Sequence, residues 1–235
     1  MAGFGDAFAQ AAGLVLGLDG ELMGIVALSL AVSLSATALA CLVGLPLGAL
    51  LAVTRFRGRG AAVAVLNALM GLPPVVVGLS VYLLVSASGP LGPLRLLYTP
   101  AAMILAQAIL VTPIVAALTR ETVAALDAEY DEYLRTLGAG PLFRVGTLLW
   151  DGRFALTTAA LAGLGRALAE VGAVMIVGGN IAHVTRVMTT AIALETSKGE
   201  LAMALALGAI LVTLSLAVTA AVTGVRLRAE AAAHA

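Results

Sequence analysis

The residues best able to do chemistry lie in three short groups within an otherwise apolar sequence. The first is the charged stretch 131–140, which lies between two long apolar runs. The second is the pair Arg166 and Glu170, four residues apart inside another apolar run. The third is segment 178–198, which is rich in hydroxyl and amide side chains. Such groups favour binding to a ligand or to a partner protein more than bond-making chemistry.

Motifs of the common enzyme classes are absent from the sequence. It has no H-E-x-x-H, no G-x-S-x-G and no G-x-x-x-x-G-K-[ST] loop for ATP phosphates, and its one lysine is Lys198. His183 and His234 are isolated from other metal ligands. Cys41 is the only cysteine, which excludes an intramolecular disulfide and a cysteine metal cluster. We therefore expect no catalysis, no metal and no bound cofactor in this chain.

Composition indicates an integral membrane protein. Of the 235 residues, 61% are hydrophobic and 11% are charged, whereas about a quarter of a soluble domain is charged. The formal net charge is zero, so no basic field favours nucleic acid. Five apolar runs are each long enough to cross a bilayer as a helix, which predicts one all-α transmembrane domain over 1–235. The runs are residues 24–53, 61–86, 100–118, 154–178 and 201–224.

The basic residues predict the orientation of these five helices. Nine of them flank the runs on one side and three on the other, and the richer side is expected to be cytoplasmic. The N-terminus is then outside and the C-terminus inside. Because residues 1–22 contain no Lys or Arg, we expect no cleavable signal peptide. The nine are Arg55, Arg57, Arg59, Arg120, Arg135, Arg144, Arg153, Arg226 and Arg228, and the three are Arg95, Arg186 and Lys198.

The charged stretch belongs to the predicted cytoplasmic loop 120–153. Apolar residues recur there every three or four positions, which predicts an amphipathic helix. Gly138 and Gly140, with Pro141 after them, would end that helix before a second short one. This arrangement would fit a socket on a soluble partner, and a solvated acidic loop is the alternative.

The pattern Glu132-x-x-Arg135-Thr136-Leu137-Gly138-Ala139 resembles the coupling loop of ABC-transporter permeases, in which a glycine follows a glutamate by six residues. The resemblance implies that the helix docks into a groove on an ATPase subunit. Glu132 would brace the turn, and Gly138 would permit the bend. Two departures are that Tyr133 and Leu134 replace the family's alanines and that its closing Leu-Pro is missing. The residues expected to couple to the ATPase are Glu132, Tyr133, Leu134, Leu137, Gly138 and Ala139.

Arg166 and Glu170 are predicted to lie one turn apart on one face of a helix over 154–178, where they could pair. Arg166 would lie about 18 Å from the start of that helix, near the middle of a hydrocarbon core about 30 Å thick. Charges at that depth are costly, so they are rarely left facing lipid. The two residues are either a self-neutralising pair that orients the helix in the bundle or a charged element of a transport path or its gate.

Segment 178–198 is predicted to lie on the outer side. Its hydroxyl and backbone N–H groups could hold an oxyanion without a full counter-charge, and an ordinary external loop is the alternative. Proline breaks at Pro46, Pro73–Pro74 and Pro113 either mark a transport site or shape helix packing. The candidate path or gate residues are Arg166, Glu170, Asn180, Thr185, Thr189 and Thr190.

Residues 166–173 (R-A-L-A-E-V-G-A), 179–181 (G-N-I) and 185–192 (T-R-V-M-T-T-A-I) are similar to oxyanion permeases of the molybdate and tungstate type. Residues 193–199 (A-L-E-T-S-K-G) make the tungstate branch the most similar. The resemblance spans about residues 22–224.

This resemblance implies a type I ABC importer permease in the cytoplasmic membrane. Two copies of the chain would form one pathway, with two ATPase subunits that bind ATP and Mg²⁺ on the cytoplasmic side and an oxyanion-binding protein outside. Selection between tungstate and molybdate is expected in that binding protein. A permease for molybdate or another oxyanion, an ATP-independent secondary transporter and a structural membrane anchor are the alternatives.

Overall fold

The computed structural model describes residues 4–233; residues 1–3, 234 and 235, His234 among them, lie outside the described residues. The prediction of an all-α protein is confirmed within that range. A 3₁₀ turn at Gly92–Leu94 accompanies the α-helices. The helices are α1 (Phe4–Leu16), α2 (Gly20–Val53), α3 (Arg59–Met70), α4 (Pro74–Val85), α5 (Pro100–Glu129), α6 (Asp131–Thr136), α7 (Pro141–Asp151), α8 (Arg153–Leu168), α9 (Gly172–Gly178), α10 (Met188–Lys198) and α11 (Leu201–Ala233).

Helices α2, α5 and α11 are each long and apolar enough to cross a membrane. The pairs α3 with α4 and α8 with α9 pass the same test when each pair counts as one interrupted span. The described residues therefore offer three candidate spans, or up to five with the interrupted pairs. Each of the five predicted runs coincides with one of these helices or pairs.

Two of the predicted runs are not continuous helices. The helix over 61–86 breaks at residues 71–73, where Pro73 has ψ 124° and Pro74 begins α4. A proline disfavours helical backbone in the residue before it, which accounts for this break. The prediction of one helix over 154–178 is also wrong, because α8 ends at Leu168 and α9 begins at Gly172. Pro46 and Pro113, by contrast, lie inside the unbroken helices α2 and α5.

The chain divides into two compact units. The described residues of the first unit fall within Met1–Ser35, Pro73–Gln107 and Leu168–Ala217. Those of the second fall within Ala36–Leu72, Ala108–Ala167 and Val218–Ala235. The chain therefore passes between units within α2, α5 and α11 and beside the two helix breaks.

The first unit packs α4 against α9 with backbones almost in contact. A Cβ atom added to Gly78 would lie 2.8 Å from the Cα atom of Ala173, and one added to Gly172 would lie 3.0 Å from a methyl group of Val75. Small residues permit this approach, as they do at many helix contacts in membranes. A second apolar cluster in this unit joins α1, α2, α10 and α11. Its buried members are Ala11, Leu22, Ile25, Met188, Ala191, Ala206 and Leu207.

The second unit packs α2 against α5 through two glycines four residues apart. A Cβ added to Gly44 would lie 3.0 Å from Cγ1 of Val115, and one added to Gly48 would overlap the carbonyl oxygen of Ala116. The same two long helices hold the short helices α6 and α7 through a buried apolar cluster. Its members are Ala49, Ala52, Val123, Leu134, Val145 and Leu148.

We predict that Gly48→Ala lowers the unfolding free energy by about 1–3 kcal/mol, because the new methyl group must displace the backbone of α5. The matched control is Gly208→Ala in α11, where an added Cβ has nothing within 4 Å. Alanine is the better helix former, so the control should be unchanged or more stable by about 1 kcal/mol or less. Denaturation in detergent micelles measures both. Equal stability of the two variants would contradict the close approach of α2 and α5.

Candidate functional site

The turn between α6 and α7 is built around Gly138. This glycine has φ +64°, in the left-handed region that costs other residues about 1–2 kcal/mol. Its N–H donates to the carbonyl of Arg135 at 2.9 Å, and the N–H of Ala139 donates to that of Leu134 at 3.0 Å. These two bonds form the Schellman arrangement that ends a helix. Pro141 then begins α7, where a missing N–H costs nothing.

Burial divides the six residues predicted to couple to an ATPase. Leu134 is 2% exposed and packs in the second unit with Val123, Val145 and Leu148. Its side chain therefore fixes α6 to its own chain and is not available to a partner. Ala139 is half-buried. The remaining four are exposed, and they are Glu132, Tyr133, Leu137 and Gly138.

Large apolar side chains are exposed on both sides of the turn. The exposed fractions are 66% for Tyr133, 59% for Leu137, 79% for Leu142 and 61% for Phe143. We call these four residues the docking surface. Exposed apolar groups concentrated in one short stretch indicate contact with a partner or with lipid. Sequence reasoning missed Leu142 and Phe143, although two bulky apolar residues directly after the helix-starting Pro141 were a usable signal.

An ion-pair network lies behind the docking surface. The guanidinium of Arg144 donates from Nε to Oδ1 of Asp127 at 3.0 Å. One of its terminal nitrogens donates to the same oxygen at 2.6 Å and to Oδ1 of Asp131 at 2.8 Å. Arg135 approaches Asp131 at 3.4 Å. These charges stand on α5, α6 and α7, so the network connects three helices of the second unit.

The network shifts the pKa values of Asp131 and Arg144 in the directions expected for a stable ion pair. The hydrogen bond from Arg144, followed by nearby positive charge, holds the pKa of Asp131 below its ordinary value. The hydrogen bond to Asp131 raises the pKa of Arg144. Beside the network, a hydrogen bond to the Asp151 carboxylate raises the pKa of Tyr130. Asp131 and Arg144 are therefore both charged at neutral pH.

Glu170 lies in the break between α8 and α9 and is only 3% exposed. Its Oε1 accepts a hydrogen bond from the N–H of Ala173 at 3.0 Å, so the carboxylate satisfies a donor in the first turn of α9. Its carbonyl oxygen accepts a bond from the hydroxyl of Thr189 at 2.7 Å. The prediction that Arg166 and Glu170 share one helix face is wrong, because α8 ends between them at Leu168.

The predicted threonines are buried and use their hydroxyl groups on the backbone. The Thr185 hydroxyl donates to the carbonyl of Gly178 at 2.6 Å and accepts from the N–H of Ile181 at 3.0 Å. The Thr190 hydroxyl accepts from the N–H of Val187 at 3.1 Å, which closes the first turn of α10. These bonds shape the segment between α9 and α10. A direct role of Thr185, Thr189 or Thr190 in holding an oxyanion stays a prediction.

Asn180 lies in the segment between α9 and α10, which belongs to the first unit. It has φ +51°, and its Nδ2 donates to the carbonyl of Thr190 at 3.4 Å. Its Oδ1 is buried without a hydrogen-bond partner in the part of the chain that the structure describes. Glu170, Asn180 and the three threonines therefore lie within one unit, while Arg166 belongs to the other. Across residues 4–233, no three His, Cys, Asp or Glu side chains are grouped to hold a metal ion.

We predict that Gly138→Ala lowers the unfolding free energy by about 1–2 kcal/mol, because alanine must adopt a left-handed backbone. Gly140→Ala is the matched control, since Gly140 has φ −71° and both glycines have open space around an added Cβ. The control should change stability by no more than about 0.5 kcal/mol. Denaturation of both variants measures the difference. Equal losses of unfolding free energy in the two variants would contradict the left-handed backbone at Gly138.

Similarity to known proteins extends over most of the chain, although no family model matches it. The tungstate uptake system permease protein TupB of Peptoclostridium acidaminophilum is 42% identical over 217 residues, which are 92% of this chain and 95% of that protein. A probable anion ABC transporter permease protein of Haloferax volcanii is 41% identical over 204 residues, 85% of this chain and 88% of that one. The molybdenum transport system permease protein ModB of Azotobacter vinelandii is 32% identical over 164 residues, 66% of this chain and 73% of that one. With its apolar helices and its α6–α7 turn, the chain belongs to the family of oxyanion permease subunits of ABC transporters.

Proposed function

We propose that this chain is the membrane-spanning subunit of an ATP-driven importer for tungstate. The structural observation that carries the proposal is the docking surface, four exposed apolar side chains around a glycine-capped turn. A secondary transporter or a structural anchor would not need a surface that docks an ATPase. Tungstate is favoured as the ion because TupB of P. acidaminophilum, a tungstate uptake permease, aligns with 92% of this chain.

In the proposed arrangement each interrupted helix pair forms one span, which gives five spans with the N-terminus outside. The unequal distribution of basic residues supports this orientation. It assigns the docking surface, Arg144 and the second unit's ion pairs to the cytoplasmic side. The segment between α9 and α10 is then assigned to the outer side of the cytoplasmic membrane.

The docking surface is proposed to insert into a groove on an ATPase subunit. Tyr133, Leu137, Leu142 and Phe143 would bury their apolar area there, which is the main favourable term in most protein association. Leu134 would contribute indirectly by keeping α6 fixed to its own chain. ATP and Mg²⁺ are expected on the ATPase, because the sequence of this chain has no phosphate-binding loop.

Two copies of the chain, two ATPase subunits and an external oxyanion-binding protein complete the proposed assembly. Closure of the ATPases on ATP would displace α6 and α7 and open the pathway toward the binding protein. The pathway is proposed to let the ion pass without binding it tightly, because tight binding would slow release of the ion. Arg166, Glu170, Asn180 and the threonines 185, 189 and 190 stay candidate residues of the path or its gate.

Molybdate import is the second candidate function. Tungstate and molybdate have the same charge and tetrahedral shape, and the ModB relative at 32% identity is a molybdenum transport permease. A passage that does not bind tightly cannot separate two such ions. Discrimination is therefore proposed to lie in the external binding protein.

Deletion of the gene is predicted to lower cellular tungsten, measured by mass spectrometry in cells grown on trace oxyanions. Re-expression of the intact chain should restore it, and molybdenum should change less. Equal losses of both metals would replace tungstate by a broader oxyanion specificity. If neither metal changed, the assignment to tungstate or molybdate would be wrong.

Leu134 in α6 and Leu137 directly after that helix provide a matched test of docking. Leu137→Ala removes exposed area and should change unfolding free energy by less than about 0.5 kcal/mol, while capture of the ATPase weakens. Leu134→Ala removes a buried side chain and should cost about 2–5 kcal/mol of stability. Denaturation and co-purification of the ATPase measure the two effects. Full ATPase capture by the Leu137 variant would exclude Leu137 from the docking surface.

A further inference from the structure

We propose that Arg144 is a positioning residue that makes α5, α6 and α7 move as one body. This inference rests on the proposed function, because the movement that Arg144 transmits would begin where an ATPase contacts the docking surface. Arg144 itself does not belong to that surface: its side chain is 14% exposed and its guanidinium faces the two aspartates. The residue would act on transport only through the helices that it joins.

The geometry points to a rigid connection. Arg144 stands in the first turn of α7, Asp127 in the last turn of α5, and Asp131 at the start of α6. One guanidinium makes three hydrogen bonds of 2.6–3.0 Å to the two carboxylates. Charge-assisted bonds from a planar guanidinium fix direction as well as distance. A lysine could supply the charge but not the same pattern of donors.

Apolar packing alone would leave α6 freer to tilt. Its one buried side chain is Leu134, and six residues give the helix fewer than two turns. A cleft of about 370 Å³ also opens beside it, so side chains do not fill the space on that side. The Arg144 bonds therefore supply directional restraint where packing is thin. The cleft is lined by Ala52, Arg55, Arg59, Ala124, Asp127, Ala128 and Asp131.

The connection leads directly to a membrane-crossing helix. Asp127 belongs to α5, which runs without a break from Pro100 to Glu129 and is itself a candidate span. A displacement of α6 or α7 held by Arg144 must therefore displace the end of α5. Since the pKa of Asp131 is lowered in the folded chain, the bond is fully formed above about pH 4 and is lost only as pH falls through the lowered pKa.

The test compares Arg144→Met with Arg144→Lys and with the control Arg57→Met. Arg57 is an exposed arginine of the same unit, and the control removes the same charge without touching the two aspartates. Each chain is reconstituted with its ATPase and binding protein, and ATP hydrolysed per tungstate imported is measured. Arg144→Met should raise this ratio at least about fivefold, the low end of typical coupling effects. The ratio for Arg144→Lys should lie between those of Arg144→Met and wild type, and the ratio for the control should match wild type.

Hydrogen exchange gives a readout that does not depend on transport. Amides of residues 131–139 should exchange about tenfold faster in Arg144→Met than in wild type or the control, because local opening becomes easier. If Arg144→Met fails to fold, Asp131→Asn replaces it, since that change weakens only the α6 end of the network and should raise the ratio less.

The outcomes separate the two proposals. An unchanged ratio and unchanged exchange in Arg144→Met, with ATPase capture intact, would overturn the role of Arg144 and leave the proposed function standing. A wild-type chain that neither captures the ATPase nor imports the anion would overturn the proposed function itself.

Discussion

The hydrocarbon core of a membrane offers no hydrogen-bond partners, so every backbone N–H and C=O must find one inside the protein. Unbroken helices such as α2 and α5 meet this constraint by their own ladder of bonds. In the proposed five-span arrangement, the helix break at residues 169–171 meets it differently. The Glu170 carboxylate accepts from Ala173 N–H, and the Thr189 hydroxyl donates to the Glu170 carbonyl. Such partners allow irregular backbone where a lipid-facing loop would be too costly.

The same reasoning gives the threonines of the segment between α9 and α10 a structural meaning. Thr185 and Thr190 supply hydroxyl groups to backbone atoms that have left the helical ladder. Ser29 likewise accepts from the N–H of Met188 at 2.7 Å, which ties α10 to α2 within the first unit. The first role of these polar residues is therefore structural: they hold the non-helical backbone between α9 and α10 in place. Any contact with a passing anion must use the donors that these bonds leave free.

In the second unit, the short helices α6 and α7 are held by buried apolar residues and by ion pairs. The short helices α6 and α7 divide their side chains between an inner face that holds them and an outer face that is free. Leu134 and Leu137 illustrate this division, since they are three residues apart and differ from buried to exposed. Arg144 adds directional bonds to the inner side. The proposed partner would therefore contact exposed side chains of helices that are held to the chain on their inner side.

How much of this could be predicted from the sequence depended on the range of the interactions. Long apolar runs and the glycine of the α6–α7 turn are local signals, and the sequence located both. The break after Leu168 has no proline or glycine at residues 169–171, and its stabilising partner Thr189 lies 19 positions from Glu170. The three bonds of Arg144 join residues 13 and 17 positions apart. A short helix also has too few turns for its periodicity to separate Leu134 from Leu137.

Uptake of labelled tungstate into sealed vesicles tests the central claim most directly. The vesicles would contain this chain, its ATPase and its external binding protein, with ATP supplied on the ATPase side. An importer driven through the docking surface should accumulate tungstate only while ATP is hydrolysed, and a non-hydrolysable analogue should stop it. Accumulation that continued without ATP would contradict the account and favour a secondary transporter.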